Sequence, residues 1–252
     1  MTTSWQCESV RLSALWASPD DVSGLLNWEA VTGVQPEQRE TQPRLATHRE
    51  VGTVWDGAIL DWRASPGRAD WIVAAAIPRD MQLAEIPSLG SIETVIGKFS
   101  TLLFDCVATA YRAPRLAFGL VATCPLPTKE ASYALLSTML PSARLEGASE
   151  FTYQINRPRK SKSIDGLLIN RLSRWTAAAV VGLRMQVTSP GTGPSDGVVS
   201  TVRLPLNYTT RVELDINSDA DHRTPILADM SRPLFDEFVE LSIELLGKGD
   251  VP

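Results

Sequence analysis

Cysteine and histidine are scarce in this 252-residue chain, which holds three Cys and two His. Cys7, Cys106 and Cys124 are odd in number and far apart, which excludes a disulfide framework and the paired spacing of a zinc site. They read as reduced core thiols of a cytoplasmic protein. His48 and His222 are equally remote from one another, and no G-x-S-x-G elbow accompanies them, so both read as structural or exposed residues. Positive charge is not in excess: 24 Lys plus Arg stand against 29 Asp plus Glu, a formal net charge of −5, which argues against a generic polyanion binder. Long hydrophobic runs are missing too. The apolar stretches around residues 71–77 and 177–183 fall far short of the ~20 residues that span a bilayer. The opening Met1-Thr2-Thr3-Ser4-Trp5-Gln6 has no basic region leading into an apolar one, so neither a secretion signal nor a membrane segment is expected.

What is present is enough for a substantial core, with 44% hydrophobic against 21% charged residues. Partial alternation predicts a strand over 7–16. Ser18 as N-cap, Pro19 at the first position and the stripe Val22, Leu25 and Leu26 predict a helix, followed by an exposed polar connection over 34–47. Strands are expected at 48–55, 58–64 and 69–77, turned by Asp56-Gly57 and by Ser65-Pro66-Gly67. A long amphipathic helix is expected from Ser91 to Tyr111.

The order then repeats. A strand at 115–123 leads to a helix capped by Thr128, to strands at 149–156, within 174–187 and at 208–217, and to a last helix with Ser231 as N-cap and Pro233 at its first position. The fold class predicted is α+β, with two β-α-β-β-β-α halves, 1–112 and 113–252, that suggest an internal duplication. Each half would pack helices on one face of an antiparallel sheet, and the halves would meet through those apolar faces. One irregular α+β domain is the alternative.

The sharpest compositional shift is the segment Asn156 to Trp175, which carries Arg157, Arg159, Lys160, Lys162, Arg171 and Arg174 with Asp165 as its only acid. The triplet Ile-Asn-Arg occurs twice in it, at 155–157 and 169–171, and a turn at Asp165-Gly166 would set the copies side by side. Two guanidinium forks there would suit a phosphate, a nucleic-acid backbone or an acidic partner, with Trp175 able to stack a base. The competing reading is a solvated loop with arginines paired to the chain's own carboxylates, and Trp175 in the core.

A second cluster runs from Arg211 to Asn217, with Asp219 and Asp221 beyond it. Alternation puts Val212, Leu214 and Ile216 on one face and Arg211, Glu213, Asp215 and Asn217 on the other. Its likeness to a calcium loop fails at Ala220 and Ile226, where Gly and Glu are required, so no metal site is assigned. The alternative is a polar outer face whose carboxylates meet the basic segment. The glycine-rich stretch 191–197 lacks the Lys-Ser/Thr of a phosphate loop and reads as a hairpin loop. Trp55, Asp56, Trp62, Arg63, Arg68, Asp70 and Trp71 form an aromatic and charged patch, either sheet core or a ligand groove.

VELDIN at 212–217 with LFDEFVELSIELLGKGD at 234–250, PGRADW at 66–71 and YQINRPR at 153–159 together resemble a sporadically distributed group of conserved bacterial proteins without an assigned activity. The resemblance implies a bacterial origin, no established catalytic residues, and a context such as phage defence. The leading functional expectation is a non-catalytic adaptor subunit of a bacterial assembly, without cofactor, holding an acidic protein partner through Arg157, Arg159, Lys160, Arg171, Arg174 and Trp175. An RNA- or DNA-binding protein using the 156–175 segment is the second reading. A divalent-metal phosphohydrolase using Glu213, Asp215 and Asp219 is the third.

Overall fold

A computed structural model describes residues 4–16, 28–55, 57–77, 86–104, 113–148, 150–188 and 198–250. The elements in chain order are β1 (Gln6–Leu15), α1 (Trp28–Thr32), β2 (Gln38–Gln42), β3 (Thr47–Trp55), β4 (Ala58–Ser65), β5 (Arg68–Ala75), α2 (Ile92–Phe99), β6 (Arg115–Leu126), α3 (Lys129–Met139), β7 (Thr152–Asn156), β8 (Arg159–Lys160), β9 (Leu168–Thr188), β10 (Val198–Ser218) and α4 (Ala228–Lys248). The fold is α+β, as the element pattern predicts. All ten strands join one antiparallel sheet in the order β2-β3-β4-β5-β1-β6-β10-β9-β7, with β8 also pairing with β9.

The halves do not stack one helical face on the other. They join edge to edge, through an antiparallel β1·β6 ladder running from Gln6↔Thr123 to Leu15↔Arg115. Outward from this seam the same order appears twice: each half's first strand pairs with its last strand, which pairs in turn with the one before it. Edge pairing wins because a strand ladder satisfies every backbone donor and acceptor, leaving both apolar faces free to form a single core.

That core lies on one side of the sheet. Val10 and Leu12 of β1, Trp71 and Val73 of β5, Phe118 and Leu120 of β6, and Val212, Leu214 and Ile216 of β10 are buried there with Val95 and Phe99 of α2, Leu136 of α3, and Phe235, Phe238 and Leu241 of α4. Phe118 meets Phe99 and Phe235 edge-on at 6.5 and 5.4 Å, so both halves share one aromatic centre.

Several boundaries depart from expectation for identifiable reasons. The polar connection at 34–47 contains β2, an edge strand of wholly exposed residues that only its pairing with β3 defines. Thr128 caps α3 as anticipated, and Ser91, where the long helix was expected to start, caps α2; each accepts from the backbone N–H three residues on. α2 continues as a π-helical turn over Ser100–Phe104; the predicted remainder to 111, Cys106 included, lies outside the described residues, as do the predicted 18–26 helix, Asp56 and the 191–197 loop. α4 begins at Ala228 instead of Ser231, so Pro233 lies inside it. No described helix is long and apolar enough to cross a membrane.

Candidate functional site

The basic segment is largely turned inward. Gly166 lies in the turn, and the two Ile-Asn-Arg copies do lie side by side: Asn156 Nδ2 donates to Asn170 Oδ1 at 2.9 Å and Arg157 N donates to Arg171 O at 3.3 Å. Strand alternation then separates the asparagines from the arginines. Arg157 makes a bidentate pair with Asp250 at 2.5 and 2.8 Å, Tyr153 donates to the same carboxylate, and Arg159 holds Glu244 at 2.7 and 3.3 Å. The Lys162 and Ser163 amides and the Ser161 hydroxyl donate to Glu237, and Lys162 Nζ lies 3.9 Å from Glu240. All four acids belong to α4 or to the residue two beyond its end.

The guanidinium of Arg157 holds the Asp250 carboxyl below its ordinary range, and that of Arg159 does the same for Glu244. Burial works against Glu237, but the donors around it outweigh burial and lower its pKa as well. Arg171 is 2% exposed, its Nε and Nη2 have no hydrogen-bond partner among the described residues, and burial lowers its pKa. Trp175 is fully buried and edge-on to Trp5 at 6.3 Å, so it is core. Of the six predicted binding residues, Arg157, Arg159, Arg171 and Trp175 therefore serve the α4 side of the sheet. Lys160 is exposed without an ion pair among the described residues, and Arg174 stands on the opposite face.

That opposite face, free of described helices, holds the acidic strand. Arg11 of β1 reaches across β6 to Asp215 of β10, with Nη2 3.4 Å from Oδ2. Gly119 leaves room for the crossing: a Cβ there would stand 3.2 Å from the Arg11 Nε, so the guanidinium would have to shift by a few tenths of an ångström. From Asp215 a row of amides continues outward, Asn217 donating to Asp215 at 3.1 Å, Asn170 to Asn217 at 3.2 Å and Asn156 to Asn170. Arg211 joins Glu213 to Glu8, which a bulge between Cys7 and Ser9 displaces from the ladder. Arg174 lies 4.0 Å from Glu213, the one ion pair between the acidic strand and the basic segment among the described residues. The expectation that these two clusters neutralise each other is thus met at a single pair; α4 supplies the other acids. Asp219 Oδ1 accepts from Asp221 N, and no group of three His, Cys, Asp or Glu among the described residues is placed to share a metal ion.

A shallow groove of about 270 Å³ opens between Arg11 and Arg174, floored by Gly119, Val121 and Leu172. No family model, curated protein or solved structure matches this chain.

The same face carries a second set of charges in the first half. Asp61 of β4 accepts from Arg49 of β3 at 2.9 and 2.7 Å and from Arg63 at 2.6 Å. Asp70 of β5 accepts from Arg68 at 2.7 and 2.9 Å and from Ser13 at 2.5 Å. Arg63, Arg68 and Asp70 belong to the patch visible in the sequence, whereas Arg11, Gly119 and Arg49 were not legible as site residues. The available signal was a lone Gly inside the apolar run of β6, the mark of a close approach. Trp62 and Trp71 of that patch are core, at 5% and 0% exposure, and do not line a ligand groove. Among the thiols, Cys7 and Cys124 are free and buried, and burial pushes Cys7 up to about 12, which leaves it without thiolate character.

Proposed function

We propose that this protein is a non-catalytic binding subunit that takes an acidic protein segment on the helix-free face of its sheet, at the groove between Arg11 and Arg174. The observation that carries the reading is a contrast in ion-pair geometry. On the α4 side, carboxylates engage arginines bidentately at 2.5 to 3.3 Å. In the groove, Arg11 and Arg174 are held only at 3.4 and 4.0 Å. Guanidinium groups held this loosely can pass to an incoming carboxylate with little loss, because long and partly exposed pairs contribute ~1 kcal/mol or less. The site moves from the Arg157 clamp to the opposite face, while the acidic class of partner stays the same. The bacterial resemblance supports a place in an accessory assembly, of which phage defence is one.

Titration of a fluorescent oligoglutamate peptide against the full chain tests this. We expect saturable binding that Arg174→Glu weakens by about tenfold, the loss of one charge-assisted contact. Equal affinity of wild type and variant, or no binding by either, removes the proposal. Tighter, steeply salt-dependent binding of a single-stranded oligonucleotide instead would favour the nucleic-acid reading.

A further inference from the structure

The first half carries a separate receptor whose layering differs from that of the central groove. The Asp61 and Asp70 side chains are nearly buried, each 12% exposed, whereas those of Arg49, Arg63 and Arg68 are 43%, 52% and 42% exposed. Each carboxylate takes one edge of the guanidinium it holds. Arg49 and Arg68 use Nε and Nη2, and Arg63 uses Nη2 alone, so Nη1 of all three and Nε of Arg63 donate to nothing among the described residues. A guanidinium fixed by a carboxylate along one edge has given up its side-chain freedom before any ligand arrives, and its remaining donors are aimed. The groove they border holds about 600 Å³ and is walled by Thr47, Ser65 and the rim residues Glu40 and Gln42. That volume is in the range of small-molecule sites.

From this arrangement we infer that the groove over β3, β4 and β5 binds a small molecule through a phosphate or pyrophosphate group, held by Arg49, Arg63 and Arg68. Arg forks match phosphate oxygens in geometry, and three of them on adjacent strands offer donors to a multiply charged oxyanion that a single carboxylate cannot use. The buried Asp61 and Asp70 act as positioning residues and keep three like charges together. Glu40, exposed at the rim, opposes the ligand and provides a variant whose effect runs in the favourable direction.

The probe is inorganic pyrophosphate, with ADP as a second arm to tell a bare anion from a nucleotide. Calorimetry on the full chain is expected to give a Kd of about 1 mM or tighter for pyrophosphate. Arg63→Gln, which leaves Asp61 paired with Arg49, should weaken it by about tenfold, and Glu40→Gln should tighten it severalfold. ADP binding more tightly than pyrophosphate would identify a nucleotide as the ligand; weaker binding would assign the free anion. Arginine modification by phenylglyoxal, read by mass spectrometry, locates the site without any variant. Pyrophosphate should protect Arg49, Arg63 and Arg68 and leave the exposed Arg44 unchanged. Unchanged modification of those three at saturating pyrophosphate, or an affinity indifferent to both substitutions, would overturn the inference.

Discussion

At the scale of single residues, several carboxylates are tied to donors on other elements, and their titration sets the acid limit of the fold. Asp250, Glu244 and Glu237 are lowered by their donors on β7, β8 and the segment that follows β8. Asp61 and Glu50 are lowered too, since bonds from Arg49 and Arg63, and from the Trp28 amide, His48 and Arg39, outweigh the opposing effect of burial. A carboxyl depressed in the folded state gives stability that is complete above its unfolded value, about 4, and is lost as pH falls through the folded value. The denaturation midpoint should therefore hold steady from pH 7 to about 5 and drop below about 4. Asp250→Asn should make that drop shallower while lowering the midpoint at pH 7. A midpoint constant down to pH 3 would show that these pairs contribute nothing. Cys7, raised to about 12, acts on the alkaline flank with the opposite sign: its stabilisation is present below the ordinary thiol range and fades as pH climbs towards the folded value.

At the scale of elements, the predicted cap Thr128 is in place, whereas Ser231, predicted as a cap, lies inside α4. Thr128 accepts the Ala131 amide at 3.1 Å, so Thr128→Ala should cost about 1 kcal/mol, seen as a lower urea midpoint with an unchanged slope. A loss below a few tenths would mean that solvent satisfies this amide equally well. Alternation and turn residues likewise marked β3, β4 and β5, and the helical stripe marked α3. β2 escaped because an edge strand of five exposed residues has no buried face to imprint a period on its sequence. β9 starts before the strand expected within 174–187 for a related reason: Arg171 and Ser173 occupy its inward positions, and a polar inward face looks like a loop. The site was harder to read still. Alternation put Glu213 and Asp215 on one face correctly, but which arginine meets them depends on sheet order. Arg11 lies 204 residues from Asp215, and only the β1·β6 and β6·β10 registers bring them together over Gly119.

At the scale of the whole molecule, the question is whether two halves with the same strand order behave as one body. The seam carries more than the β1·β6 ladder. Trp5, at the start of the first half, donates its indole N–H to Leu246 O of α4 at 3.0 Å and packs on Trp175, while Phe99 of α2 lies against Phe118 and Phe235 of the second half. Burying each such aromatic is worth roughly 1.5 to 3 kcal/mol, so exposing this seam alone would consume much of a typical net stability of ~10 kcal/mol. Neither half should outlast the other. Two probes are weighted to opposite halves: six of the seven Trp lie in residues 1–112, whereas the longest helix, the 21-residue α4, lies in residues 113–252. Tryptophan fluorescence and helical circular dichroism should then report the same urea midpoint and the same slope. Fluorescence changing at one concentration and ellipticity at another would mean that the continuous sheet joins two separately folding units, and that the seam is an interface instead of a core.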